Sequence, residues 1–421
     1  LGKIIDTSFG HLRLEYYQEN SMKKFEFIGT MGLGLLSLFA CNSASVAPPA
    51  ETFIETQSKA TPTITKSVAE TPTLQTTAIS SQVTKEPPTL LLSKPGKYFA
   101  GNREYTLVDN SRDGREIELL IWYPAHKQTD ADGRAIVRDA IPDMGGAPYP
   151  VILTEEDSGR YIFLSHLATH GFVMVVVKSP KSEPPEKFIV FQQVRDFLFS
   201  LDQISANPPD ELENLINTDR VGVTGYSYGG DIALTVSGAR VDPEFYISQC
   251  EQVSTLVRES FHWVYEDYYC QDAKNWDAFV NFIGEEITSN DDGLWQPITD
   301  ERIRAVMPMA STVSWYYGER GLAEVDRPTF LIWGTKDLVS PYQLEVGFTF
   351  EHIEIPERFL ISFIGKTHMM PFSPDVAVGM KHFGTAFFGY YLQDRKDYTE
   401  YFSKDFVEQF DDLFWGVYSD D

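Results

Sequence analysis

The chain has 421 residues, with 35 Lys and Arg against 61 Asp and Glu, a formal net charge of −26. Hydrophobic residues make up 43% and aromatics 14%, enough for a sizeable core. The charge argues against nucleic acid as a partner, because phosphate binding needs a basic surface, and three cysteines exclude a disulfide framework or a zinc-ribbon array.

The charge is unevenly placed. Residues 1–95 carry eight basic and eight acidic side chains, so the whole excess falls on residues 96–421. Lys23-Lys24 follows Met22 and precedes the apolar run Phe27–Ala40, whose 14 residues are too few to span a ~30 Å hydrocarbon core. A positive segment followed by a short apolar one reads as a secretory signal over 22–41. Its end, Leu38-Phe39-Ala40-Cys41, resembles a bacterial lipobox, which implies lipidation at Cys41. The other reading is an ordinary signal peptide with an incidental cysteine. Met22 reads as the start, with 1–21 an upstream extension. Residues 42–95 are rich in Thr, Ser, Pro and Ala without sustained periodicity, which predicts a disordered tether. Together these place the protein outside the cytoplasm, lipid-anchored on the outer side of a bacterial cytoplasmic or outer membrane.

From residue 96 to 415 strand and helix signals alternate. Tyr105–Val108 and Glu116–Trp122 read as a leading strand pair. Val151–Thr154, Phe172–Val177, Arg220–Thr224, Ile303–Met307, Thr329–Trp333 and Phe359–Phe363 read as buried strands. Phe163–Thr169, Phe188–Ile204, Asp231–Ser237 and Gly379–Leu392 read as helices. Continuous apolar strands alternating with helices predict an α/β architecture, a mostly parallel central sheet with helices on both faces. Residues 240–302 interrupt the alternation with an aromatic-rich insertion holding fourteen acidic and four basic side chains.

Gly225-Tyr226-Ser227-Tyr228-Gly229 fits G-x-S-x-G, between an apolar strand and a helix. Glycines there let the backbone turn sharply and leave the serine hydroxyl exposed. A serine hydroxyl needs a base to take its proton, and that base needs an orienting carboxylate. Asp337 follows the strand Thr329–Trp333 and His368 follows Phe359–Phe363, so both lie on loops at the strand edge that carries Ser227. The other seven histidines do not occupy a loop after a strand beyond Asp337. The candidate catalytic set is Ser227, His368 and Asp337, with no cofactor and no metal.

At these residues the chain resembles the α/β-hydrolase fold. Tyr105–Pro124, Tyr149-Pro150-Val151-Ile152-Leu153 and Leu167-Ala168-Thr169-His170-Gly171-Phe172 look like its platelet-activating-factor acetylhydrolase and dienelactone-hydrolase-like branch. The resemblance covers about residues 97–395. It implies a serine hydrolase that cleaves short-acyl or lipid-like carboxylic esters through an acyl-enzyme, with 240–302 as a lid. It also implies an oxyanion hole built from the backbone N–H of Tyr228 and an N–H of the loop after Val151–Thr154, at Asp157. That loop reads Glu155-Glu156-Asp157-Ser158-Gly159, where the branch usually has His-Gly. Carboxylates beside a developing oxyanion oppose it, and they motivate the alternative of a non-catalytic surface lipoprotein using the fold as a binding module. The insertion's aromatics, from Phe261 to Trp295, either line an acyl site or form the insertion's own core. Cys250 and Cys270 either bridge or remain two buried thiols.

Overall fold

In the computed structural model, residues 89–156, 160–180 and 188–419 are described. They belong to one unit, which begins at Val83. The leader, Cys41 and the segment read as a tether lie outside the described residues.

Nine strands form one sheet: β1 (Phe99–Asp109), β2 (Arg115–Ala125), β3 (Tyr149–Glu155), β4 (Val173–Lys178), β5 (Ile216–Tyr226), β6 (Ile303–Met309), β7 (Thr329–Gly334), β8 (Arg358–Phe363) and β9 (Leu413–Trp415). Their order is β1-β2-β4-β3-β5-β6-β7-β8-β9. The six strands from β4 to β8 are parallel, while β1, β2 and β9 run antiparallel to their neighbours. The longer helices are α1 (Arg160–Thr169), α2 (Ile189–Ala206), α3 (Tyr228–Thr235), α4 (Pro243–Glu251), α5 (Trp276–Ile283), α6 (Ser314–Ala323) and α7 (Pro374–Leu392).

Side chains alternate across a strand, so a strand buried on both faces must be apolar throughout. Every residue of β3 is buried. Ile152 faces a core shared with Phe163 and Leu167 of α1 and Phe383 and Phe387 of α7. Its neighbours Val151 and Leu153 face the opposite core, against Val194, Phe197 and Leu201 of α2 and Ile232 of α3. The apolar residues of α2 recur at three- and four-residue intervals, which puts them on one stripe toward the sheet.

Between α3 and β6 the insertion folds around a third core. Tyr246, Tyr265, Tyr269, Phe279 and Trp295 pack there with Trp315 and Tyr316 of α6. Asp242 caps α4 by accepting the N–H of Phe245, and Pro243 starts the helix with φ already set. Arg195 of α2 donates to the carbonyl of Phe282 at 2.7 Å and stacks on its ring, and Arg240 ion-pairs with Asp292. A disulfide joins Cys250 to Cys270. Arg195 thus ties the insertion to α2, while the Arg240–Asp292 pair closes the insertion on itself.

The elements differ from the sequence reading mainly at their ends. β1 starts at Phe99 rather than Tyr105, because it pairs with β2 along its whole length. α7 begins at Pro374, five residues before Gly379, and the chain then continues through a 3-10 segment (Lys396–Phe402) to the edge strand β9. Helix α6 escaped notice because Gly318, with φ of 59°, interrupts it.

Candidate active site

Strand β3 leads through α1 toward β4 on one side, and β5 leads through α3 toward β6 on the other. In open parallel sheets a crevice forms where neighbouring strands depart in opposite directions, at their carboxyl ends. Ser227 stands at that end of β5.

Its backbone is strained, with φ of 55° and ψ of −115°. Such a conformation costs a non-glycine residue about 1–3 kcal/mol and persists only when its surroundings fix it. Here the N–H of Ser227 donates to the carbonyl of Met309 at 2.9 Å, and its own carbonyl accepts the N–H of Asp231 at 3.0 Å. A Cβ on Gly225 would lie 2.2 Å from the carbonyl carbon of Gly229, and one on Gly230 would lie 2.6 Å from the carbonyl oxygen of Met309. Both glycines are required by close backbone approach: the first for the turn, the second for packing α3 against β6.

The loops after β7 and β8 are tied together. Lys336 donates its N–H to the carbonyl of Lys366 at 2.8 Å, and Gly334 leaves no room for a side chain against that same carbonyl. This pairing brings Asp337 beside His368. The Asp337 side chain is fully buried, so its oxygens need donors. Oδ1 accepts the N–H groups of Val339 (3.0 Å) and Ser340 (2.9 Å), and Oδ2 accepts from Nδ1 of His368 at 2.8 Å. An ionised carboxylate only accepts, so the imidazole proton belongs on Nδ1 and leaves Nε2 as an acceptor. Nε2 lies 3.1 Å from Oγ of Ser227. The hydroxyl of Tyr226 donates to the carbonyl of His368, and its ring packs 5.1 Å from the imidazole. Three residues 110 and 31 positions apart along the chain thereby form one continuous relay, able to carry a proton from Oγ to Nε2.

Tyr228 is the first residue of α3, so its N–H points out of the helix's N-terminal end beside Ser227. Asp157 lies outside the described residues. Glu155 ends β3 in a buried position. The aromatics of the insertion are mostly its core: Tyr265, Tyr269, Phe279 and Trp295 are buried there, and Phe261, Trp263, Trp276 and Phe282 pack against them. In this set of contacts Tyr269 lies nearest the turn that carries Ser227, with its ring 6.2 Å from that of Tyr228. The next residue, Cys270, is bridged to Cys250.

Two buried acids that no sequence motif marks lie directly behind the elbow. Asp231, in the first turn of α3, is fully enclosed; burial pushes its pKa up to about 8, and the nearby Glu345 adds to the rise. Glu345 is equally enclosed, and burial pushes it up to about 7. An acid in a helix's first turn ordinarily signals a solvated residue complementing the dipole, so Asp231 carried no mark of its burial.

No protein-family model matches this chain, and no curated protein matches it.

Proposed function

We propose that this protein is a serine hydrolase of the α/β-hydrolase fold that cleaves carboxylic esters through an acyl-enzyme. The observation that carries the reading is the relay from Asp337 through His368 to Ser227, with contacts of 2.8 and 3.1 Å, anchored on a strained serine at the strand-to-helix turn. The order Ser, Asp, His along the chain and the placement of all three after parallel strands support the same fold.

In this reading Oγ of Ser227 attacks the ester carbonyl while its proton passes to Nε2 of His368. Asp337 holds the ring and favours the imidazolium. The N–H of Tyr228 and a second donor from the loop after β3 meet the oxyanion. The tetrahedral intermediate collapses, and Nε2 returns the proton to the departing alcohol. Water then attacks the acyl-enzyme, again giving its proton to Nε2, and releases the carboxylic acid; the proton returns to Oγ.

The insertion would form a rigid cap over one side of the crevice, its polar and acidic outside being the lid that the sequence suggests. Export and lipid anchoring at Cys41 complete the proposal, with a small or lipid-like ester as substrate. Hydrolysis of a series of p-nitrophenyl esters graded by chain length tests it. Turnover by the wild type and none by S227A is expected; equal turnover by both would remove the role of Ser227.

A further inference from the structure

The segment that leaves β6, from Met309 to Ser314, contacts Ser227, the loop of Asp337 and the two buried acids. Met309 accepts the N–H of Ser227 (2.9 Å). Ala310 holds a left-handed backbone with φ of 48°, an unfavourable state for a residue with a Cβ. The carbonyl of Ser311 accepts Oγ of Ser340 at 2.5 Å, and the N–H of Ser340 in turn donates to Asp337. Ser314 donates both its N–H (3.3 Å) and its hydroxyl (2.5 Å) to Glu345, which also accepts the hydroxyl of Tyr265 at 2.6 Å. Nucleophile, acid loop and insertion are therefore all hung on one short strained segment.

Between these ties stands Thr312, and its N–H donates to Oδ1 of Asp231 at 2.7 Å, with its hydroxyl 3.4 and 3.5 Å from the two carboxyl oxygens. We propose that Asp231 is a positioning residue for the Ser227 centre: by fixing Thr312 it locks the segment after β6, and so sets the nucleophile against the acid loop. This rests on the hydrolase reading of the site.

The placement is costly, and packing does not explain it. A carboxyl in a dry site must be neutral or paired, and among the described residues no basic side chain pairs with Asp231. Besides Thr312, the groups facing it are Ser311 of the same segment, Glu345 from the π-helical turn Gln343–Gly347, Tyr269 from the insertion, and Tyr317 from α6. An apolar residue would fill the space at lower cost, but it would leave the N–H of Thr312 buried and unsatisfied. Burial holds the carboxyl largely neutral near pH 7, so a neutral amide should replace it well.

The test compares Asp231→Ala, Asp231→Asn and Ser340→Ala by thermal melting, by kcat and KM on a p-nitrophenyl ester, and by the rate of fluorophosphonate labelling at Ser227. D231A should lower kcat and the labelling rate together by about ten-fold or more, the scale of a small misplacement, with KM within about two-fold. D231N, whose amide oxygen can accept from Thr312, should recover most of that loss. S340A cuts only the tie to Ser311 and should slow labelling a few-fold, and combined with D231A it should cost less than the product of the two, since both act through one segment. Folded D231A that labels at the wild-type rate overturns the inference, as does D231N as slow as folded D231A. Should D231A not fold, S340A decides: wild-type labelling by folded S340A overturns the role of the segment. Wild-type protein that fails to label overturns the hydrolase reading and this inference with it.

Discussion

The Oδ2 atom of Asp337 lies 2.8 Å from Nδ1 of His368, while its Oδ1 is held by two backbone N–H groups of its own loop. The carboxylate is therefore fixed before it meets the imidazole, and it dictates which ring nitrogen carries the proton. Asp337→Asn keeps the shape but can present its amide N–H to Nδ1, which would stabilise the opposite tautomer. We expect kcat for ester hydrolysis to fall by about 10³- to 10⁴-fold, with KM nearly unchanged. Steady-state kinetics on folded D337N checks this, and a loss below ten-fold would deny Asp337 the orienting role.

The elbow depends on a missing side chain. Ala at Gly225 would drive its Cβ to 2.2 Å from the backbone of Gly229, which has no flexible end to yield. G225A should lose about 3 kcal/mol of stability, the range of a steric clash in a packed site, and should abolish turnover even where it folds. Denaturant unfolding followed beside an activity assay tests both parts.

The Cys250–Cys270 bridge closes a loop with a sequence separation of 20. In the chain-entropy model such a closure is worth about 3 kcal/mol. The double replacement C250S/C270S, or reduction of the wild type, should lower unfolding stability by about that amount. Because Tyr269 stands between the bridge and Tyr228, turnover should also decline. Guanidinium unfolding with and without reductant measures the first effect, and an unchanged midpoint would show that the bridge adds nothing.

Buried titratable groups give the fold a pH signature of two opposite signs. Asp231 and Glu345 have pKa values raised by burial to about 8 and about 7, so the folded state binds more protons than the unfolded chain. Their favourable contribution is complete below about pH 4 and is lost as pH rises through 7 and 8. His166 and His382 are pushed down by burial to about 3 and about 4, so the unfolded chain binds more protons there. Their contribution is present above the ordinary histidine range and is lost as pH falls from about 6.5 toward 4. Asp231→Asn removes one raised group, so its melting temperature relative to the wild type should climb between pH 5 and pH 9. Thermal melts across that range test the sign; a difference that stays flat or falls would mean that Asp231 is not held neutral by the fold.

The parts of the fold legible in the sequence were those written locally. The central strands read as continuous apolar runs because both of their faces are covered, as Val173–Val177 is. Ser227, Asp337 and His368 could be singled out because each follows such a run, and strand ends on a parallel sheet share one edge. The positions of the strands within the sheet had no local signature, and β9 has too few residues to show a period. The insertion was ambiguous because an aromatic that lines a crevice and one that fills a core look alike in sequence. Phe279 and Trp295 turn out to be core, and Tyr269 stands at the boundary. Asp231 and Glu345 were out of reach for the same reason. Their burial arises from segments distant in the chain meeting behind the elbow: Thr312 with Asp231, 81 residues apart, and Tyr265 with Glu345, 80 apart.

Mass spectrometry of the intact protein after incubation with a fluorophosphonate probe reaches the centre of the proposal directly. One adduct, mapped to the peptide bearing Ser227 and absent from S227A and H368A, is expected. Folded wild-type protein that remains unmodified at saturating probe, or that is modified equally when Ser227 is alanine, would contradict a nucleophilic Ser227.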